Sequence, residues 1–161
     1  MLVIADSSPF VVLVNIGHID VLPKLFGRVV VPPAVASELA ASSRPQTVRD
    51  FAANPPDWLR VQRPVAVQPI PSLHPGETEA ISLALELHAD LILIDERAAY
   101  REAVARRLNA IGTVRVLERA ASEGLLDLKD AFDRVKQTDF WISPALLDER
   151  LELFLDQQAR S

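Results

Sequence analysis

The stretch LVIAD, at residues 2–6, carries four apolar residues into a single acid, Asp6. A short apolar run of this kind is typical of a strand that is buried on both faces, as in a parallel sheet. Ser7 and Ser8 can cap a helix that has Pro9 in its first turn. Asp6 therefore stands at the carboxyl end of a core strand, where it either stabilises the N-terminus of the next helix or faces a ligand.

The stretch LILID, at residues 91–95, repeats this pattern and ends in a second acid, Asp95. Because the carboxyl ends of parallel strands meet at one edge of a sheet, we expect Asp6 and Asp95 to lie at the same edge. Neither apolar run is interrupted by a polar residue. We therefore predict that 2–6 and 91–95 are adjacent or nearly adjacent parallel strands in the centre of the sheet.

Strand-like runs and helical patterns alternate along the rest of the chain. Further strands are predicted at 28–31, 58–61 and 110–112, and nearby prolines make 58–61 an edge strand. Helices are predicted at 9–16, 19–26, 33–41, 44–53, 75–90, 96–109, 113–124, 128–137 and 144–157. This alternation predicts an α/β fold in three layers, with helices on both faces of a central, mainly parallel sheet. We expect one domain over residues 1–161, with the C-terminal helices of roughly 127–157 packed on it.

Composition excludes several classes of protein. The chain has no cysteine, so it can form neither a disulfide framework nor a thiolate metal site. No apolar run approaches the ~20 residues that span a bilayer, and the start MLVIADSS lacks the positive region and cleavage site of a signal peptide. We therefore expect a cytoplasmic protein without a membrane partner. The net charge of −5 argues against nucleic-acid binding by bulk charge, although it allows a local basic patch.

Two neighbouring glutamates, Glu77 and Glu79, open the predicted helix at 75–90. At ~100° per residue, Glu77 shares the apolar face of this helix with Ala80 and Ile81, whereas Glu79 lies on the polar face. Glu79 should therefore point to solvent or act in support. Glu77 either caps the helix or faces the same cleft as the two strand-end acids.

Glu38 lies in a predicted helix that begins at Pro33. A lone helical glutamate is usually a surface residue, so a role for Glu38 in the site depends on the other acids lying near it. Several carboxylates that converge on one cleft repel each other, and a divalent cation resolves that repulsion. Ligands that are all oxygen favour a hard ion such as Mg²⁺ or Mn²⁺. Such ions activate water and hold phosphate oxygens, which points to phosphodiester hydrolysis.

Six arginines against two glutamates between residues 97 and 119 make this segment basic, with a surplus of four positive charges. A basic segment beside an acidic site suits a nucleic-acid backbone, and we predict that Arg97, Arg101 and Arg115 contact it. The alternative is that these arginines solvate helix faces and form weak, exposed ion pairs.

These motifs together resemble those of PIN-domain proteins. The resemblance rests on ADSSP (5–9), VPPAVASEL (31–39), GETEAISLALEL (76–87), LILIDER (91–97), IGTVRVL (111–117) and FWISPAL (140–146). It is strongest for a branch near the toxin nucleases of bacterial toxin–antitoxin pairs. The resemblance implies a three-layer α/β/α fold and a metal-dependent ribonuclease with an RNA substrate. For the toxin branch it also implies an antitoxin partner, and it allows a homodimer.

The resemblance also implies roles for individual residues. It makes Asp6, Glu38, Glu77 and Asp95 the catalytic acids, of which Asp6, Glu77 and Asp95 hold Mg²⁺ or Mn²⁺, with Ser7, Glu79 and Thr113 in support. Two positions depart from the family pattern: Glu stands at 77 where Asp is usual, and the loop at 95–97 reads DER. The alternative function is a non-catalytic PIN-like module that binds a nucleic acid or a protein partner. A receiver-type signalling domain is disfavoured because no suitable Lys follows a later strand.

Overall fold

The computed structural model describes the whole chain, Met1–Ser161, as five strands and nine helices that alternate along most of the sequence. The strands are β1 (Val3–Ala5), β2 (Val29–Val31), β3 (Leu59–Val61), β4 (Leu91–Leu93) and β5 (Ala110–Ile111). The helices are α1 (Ser7–Asn15), α2 (Val21–Phe26), α3 (Pro33–Leu39), α4 (Gln46–Ala53), α5 (Pro75–Glu86), α6 (Arg97–Ala105), α7 (Thr113–Ser122), α8 (Leu128–Lys136) and α9 (Pro144–Arg160). The predicted three-layer α/β/α class is confirmed.

All five strands form one parallel sheet in the order β3-β2-β1-β4-β5. Strand β1 lies in the centre, where Val3 pairs with Val29 on one side and with Leu91 on the other. The prediction that 2–6 and 91–95 are adjacent central strands is therefore confirmed, and β3 is an edge strand as expected. The sheet was predicted to be mainly parallel, and it is entirely so.

The core explains why these strands read as unbroken apolar runs. Every residue of β1, β2 and β4 is buried, which requires cover on both faces of the sheet. Helix α5 places Ala80 and Ile81 in the same apolar cluster as Ile4 and Ile92. Each large apolar side chain buried in this way stabilises the fold by about 1.5–3 kcal/mol. The strand ends that carry Asp6 and Asp95 are thereby held on a rigid base.

The chain divides into two compact units, Met1–Thr113, which contains the sheet, and Val114–Ser161. In the second unit, α8 buries Leu128, Ala131, Phe132 and Val135, the spacing of an amphipathic helix. Helix α9 begins at Pro144, and its N-cap residue Ser143 accepts from the Leu146 N–H through its side chain. The expectation that residues 127–157 pack on a single domain stays a prediction. None of the nine helices combines the length and the apolarity needed to cross a membrane.

Several helix ends differ from the sequence-based predictions. The helix predicted at 75–90 ends at Glu86, and the one predicted at 96–109 ends at Ala105. In each case a residue with positive φ follows the C-cap, namely His88 at 51° and Arg107 at 65°. A residue in the left-handed conformation at this position ends a helix, and it is usually a glycine. Because His88 and Arg107 are not glycines, the sequence pattern did not indicate these helix ends.

Candidate active site

Asp6 lies at the carboxyl end of β1 and is almost fully buried, with 3 % of its surface exposed. Its backbone N–H donates to the Leu93 carbonyl at 2.9 Å, which extends the pairing of β1 with β4 by one residue. Asp6 is also the N-cap residue of α1, but its side chain makes no capping hydrogen bond. Its Oδ1 is buried without a hydrogen-bond partner. Helix capping therefore does not account for this carboxylate.

The pKa of Asp6 is raised from 3.8 to about 7. Burial is the largest cause, and the backbone N–H of Ser7 offsets part of it. The negative charges of Glu38, Glu77 and Asp95 then raise the pKa further. The other three predicted acids thus lie close enough to Asp6 for their charges to act on it.

Glu38 reaches the site from α3 and is held at both carboxylate oxygens. Ser7 Oγ donates to Oε2 at 2.7 Å, and the Gly76 N–H donates to Oε1 at 3.1 Å. Because the Ser7 hydroxyl binds Glu38, it does not cap α1; the helix begins at Ser7, and the expectation that Ser7 and Ser8 cap it is wrong. A Cβ at position 76 would lie 2.7 Å from the Glu38 Cδ, so Glu38 can occupy this position only beside a glycine.

Glu77 lies in the first turn of α5 and has 6 % of its surface exposed. Its Oε1 accepts from the His74 backbone N–H at 3.0 Å, so the side chain does cap the helix. Burial raises the pKa of Glu77, the His74 hydrogen bond lowers it, and the charge of Glu96 raises it again. Both interpretations of Glu77 are therefore compatible, because its charge also acts on Asp6.

Glu79 has a different partner. Its Oε1 accepts from the Ala34 backbone N–H at 3.2 Å, in the first turn of α3. A carboxylate is favourable there because the first N–H groups of a helix lack partners inside the helix. Glu79 is partly buried rather than directed to solvent, and this bond joins α5 to α3.

Asp95 is anchored at both oxygens by a single residue. The Thr113 backbone N–H donates to Oδ1 at 2.7 Å, and Thr113 Oγ1 donates to Oδ2 at 2.6 Å. Burial raises the pKa of Asp95, and both bonds from Thr113 lower it. A Cβ at Gly112 would lie 2.8 Å from Oδ1, so a glycine leaves the space that this carboxylate occupies. The sequence motifs contain Gly76 and Gly112, but their role was missed.

The predicted RNA-binding arginines all lie on the surface. Arg97 and Arg101 are exposed on α6, and Arg115 is exposed on α7. In the same basic segment, Arg106 pairs with Glu102 one helical turn away. This one half-exposed ion pair along a helix is of the kind that the alternative interpretation expects.

The arrangement of the acidic side chains shows how far they suit a metal ion. No three acidic or histidine side chains are arranged to hold one ion directly. Two observations nevertheless fit a hard divalent cation: every candidate donor is a carboxylate oxygen, and Asp6 Oδ1 has no partner. Hydrogen bonds from His74 and Thr113 hold Glu77 and Asp95, but a carboxylate oxygen that accepts one bond keeps a second lone pair.

Comparison with known proteins identifies the family. The sequence model of the PIN domain family DUF3368 matches residues 2–155, nearly the whole chain. The chain belongs to the PIN-domain family. A solved structure with a similar fold is that of a PilT N-terminus domain protein, SSO1118, from the hyperthermophilic archaeon Sulfolobus solfataricus P2. The two share 19 % sequence identity over 74 % of this chain and 93 % of the other, with a TM-score of 0.54. Among curated proteins, none matches the chain.

PIN domains are generally nucleases that use divalent metals. In this PIN domain, Asp6 and Asp95 follow β1 and β4, Glu38 and Glu77 lie on α3 and α5, and the charges of the last three act on Asp6. Their catalytic roles, and those of Ser7, Glu79 and Thr113 in support, stay predictions.

Proposed function

We propose that this PIN domain is a metal-dependent endoribonuclease that hydrolyses phosphodiester bonds in RNA. The observation that carries the proposal is the buried, unpartnered Oδ1 of Asp6 amid the charges of three further carboxylates. An arrangement of this kind is unfavourable for stability alone, because each charge raises the cost of ionising Asp6. A cation would relieve that cost.

Asp6, Glu77 and Asp95 are the residues that would hold Mg²⁺ or Mn²⁺. When bound, such an ion lowers the pKa of a coordinated water and polarises phosphate oxygens. Thr113 holds the Asp95 carboxylate at both oxygens, and so limits the positions from which it can ligate. The His74 N–H likewise holds Glu77 Oε1 and limits the positions from which Glu77 can ligate.

Glu38 is the residue that we assign to proton transfer. Its carboxylate is held by Ser7 and Gly76, and each oxygen keeps a lone pair that can accept a proton from an attacking water. Glu79 acts indirectly, by joining α5 to α3 so that Glu77 and Glu38 keep their relative positions. Arg97 and Arg101, exposed on α6, supply positive charge for RNA phosphates.

The test is cleavage of a labelled single-stranded RNA with Mg²⁺ or Mn²⁺ and, in parallel, with EDTA. We expect metal-dependent internal cleavage by the wild-type protein and none by Asp6→Asn. Asp57→Asn removes the same charge at an exposed position and serves as the control. RNA that stays intact with the wild-type protein and every metal would support the non-catalytic binding module instead.

The proposal extends to a toxin of a toxin–antitoxin pair, with an antitoxin as partner, and it allows a homodimer. The neighbouring gene tests this extension most cheaply. A small, overlapping upstream gene for a DNA-binding protein would support it, and an isolated gene would argue against it.

A further inference from the structure

Four residues of helix α6 form an exposed stripe that begins beside the candidate active site. They recur at intervals of three and four positions, which places them on one face of the helix. The α6 stripe consists of Arg97, Tyr100, Arg101 and Val104. Ala99 and Ala103 lie on the other side of the helix and are buried in the core. The α6 stripe therefore faces solvent along the length of the helix.

The arginines of the α6 stripe carry positive charge that the neighbouring acids do not cancel. Residues 96–107 contain four arginines and two glutamates, so two positive charges remain when both acids are counted. Glu96 caps the helix with its side chain, and Glu102 pairs with Arg106. Arg97 and Arg101 are exposed and form no ion pair. They stand ~6 Å apart along the helix axis, so they can bind two phosphates of one strand.

The α6 stripe is continuous with the candidate active site. Arg97 is two residues after Asp95, and two residues of extended chain span at most ~7 Å. Burial is the main cause of the raised pKa of Glu77, and the charge of Glu96 adds to it, so the start of α6 lies near Glu77. A strand that is bound at the acids can therefore continue along α6 without crossing another element.

Tyr100 lies between the two arginines and offers an aromatic ring that the protein does not use. Its residue is 40 % exposed, and its side chain forms no hydrogen bond and no ring contact. Proteins that bind single strands without regard to sequence combine positive charge along the backbone with aromatic rings on which bases stack. The α6 stripe has both features on one face.

We infer that a strand of RNA bound at the active site runs along α6, with phosphates at Arg97 and Arg101 and an unpaired base stacked on Tyr100. Stacking tolerates any base, since every base has a flat face. It requires a base that is not paired within a duplex, so Tyr100 selects single-stranded over double-stranded RNA. This inference rests on the proposed function for the choice of RNA as the nucleic acid.

The first experiment measures binding without cleavage. The full-length Asp6→Asn protein, in EDTA, is titrated against a fluorescent single-stranded oligoribonucleotide at several salt concentrations. On this background, Tyr100→Leu removes the ring and Tyr100→Phe keeps it. The control is Trp141→Leu, which removes an aromatic side chain that is 93 % exposed in the second unit. Thermal unfolding shows which variants fold.

Loss of one base stacked on an aromatic ring lowers affinity by about 5- to 150-fold, so Tyr100→Leu should raise Kd by at least about fivefold. Tyr100→Phe and Trp141→Leu should leave Kd nearly unchanged. Tyr100→Leu should also leave the slope of log K against log salt unchanged, because tyrosine is neutral, whereas Arg101→Gln should make the slope smaller by about 0.7. Equal Kd values for Tyr100→Leu and Trp141→Leu would overturn the inference.

A second experiment needs no substitution at Tyr100. The chain contains one tyrosine and no cysteine, so nitration by tetranitromethane reports on Tyr100 alone. We expect single-stranded RNA to slow the nitration of Tyr100 in the Asp6→Asn protein, in EDTA, and a duplex of the same sequence to slow it less. Nitration that is equally fast with and without saturating single-stranded RNA would contradict the inference, even if Tyr100→Leu does not fold.

Further outcomes separate this inference from the proposed function. If the wild-type protein cleaves RNA and Tyr100→Leu binds RNA as the control does, the path along α6 fails and the nuclease stands. If no RNA is cleaved but Tyr100→Leu weakens binding, the nuclease fails and the path along α6 stands. Protection of Tyr100 by poly-glutamate as strong as protection by single-stranded RNA of equal charge would replace RNA with an acidic protein segment.

Discussion

The two strand-end acids follow the same sequence pattern, LVIAD and LILID, yet their surroundings differ in a way that the pattern does not show. Asp95 is bound at both oxygens by Thr113, whereas Asp6 keeps a buried Oδ1 without a partner. Burial raises the pKa of both acids; the charges of three other acids raise that of Asp6 further, whereas the two hydrogen bonds from Thr113 offset part of the rise at Asp95. One acid is thus satisfied by the protein itself, and the other requires a ligand or a proton.

The origin of this difference lies in the residues that meet each carboxylate from elsewhere in the chain. Gly112 and Thr113 directly follow the neighbouring strand β5 and together form a space with two donors for Asp95. The corresponding hydroxyl near Asp6 belongs to Ser7, and it donates to Glu38 instead. A shared local motif therefore fixes where an acid stands, while distant contacts decide what it can bind.

The largest effect that this comparison predicts is on pH-dependent stability in the absence of metal. The folded-state pKa of Asp6, about 7, lies above its unfolded value of 3.8, so the folded state holds the proton more tightly. The resulting stability is fully present below about pH 4 and is lost as pH rises through about 7. Asp6→Asn removes the charge and should stabilise the metal-free protein at pH 8 by up to about 4 kcal/mol.

Urea unfolding in EDTA at pH 5 and pH 8 measures this effect. The gain from Asp6→Asn should be clearly larger at pH 8 than at pH 5, and Asp57→Asn should show no such difference. Burial also raises the pKa of Glu77 and Asp95, so some pH dependence persists in the variant. Parallel stability profiles for the wild type and Asp6→Asn would contradict the assigned environment of Asp6.

A second prediction compares the two glycines. A methyl group at Gly112 would press on the Asp95 carboxylate, which Thr113 holds at both oxygens, so Gly112→Ala should destabilise by about 1–3 kcal/mol. A methyl group at Gly76 would press on the end of the longer Glu38 side chain, which can swing away. Gly76→Ala should therefore cost less stability than Gly112→Ala.

RNA cleavage should be affected strongly by Gly76→Ala, although its effect on stability is the smaller of the two. The reason is that displacing Glu38 breaks its hydrogen bonds from Ser7 and Gly76. We expect loss of RNA cleavage with a smaller loss of stability, measured by urea unfolding, than Gly112→Ala shows. Measuring both quantities on both variants makes each a control for the other. Wild-type cleavage by Gly76→Ala would remove Glu38 from the reaction.

The smallest expected effect is that of Glu79→Gln. Its amide oxygen can still accept from the Ala34 N–H, so stability should change by less than about 0.5 kcal/mol. Cleavage should fall no more than ~10–100-fold, as for groups that support a ligand indirectly. Glu77→Gln, measured alongside, should cost far more activity. The opposite ranking of these two variants would exchange their roles.

The sequence was most informative where one rule decides the structure. Two uninterrupted apolar runs predicted the central strands, and the acids after them predicted the edge at which the site lies. Helix ends were less predictable, because His88 and Arg107 adopt a left-handed conformation that neither residue type announces. The space that Gly76 leaves for Glu38 joins residues 38 positions apart. Contacts of that range depend on the completed fold.

The central claim is that Asp6 Oδ1 is a ligand of a divalent cation, and thermal unfolding with and without Mn²⁺ tests it most directly. Binding to the folded state alone stabilises by about 2.7 kcal/mol when the ion is at 100 times its Kd. For a chain of this length, that corresponds to a Tm increase of roughly 5–10 °C. We predict this shift for the wild type and for Glu79→Gln, and none for Asp6→Asn. An equal Mn²⁺-induced shift in Asp6→Asn would contradict the account.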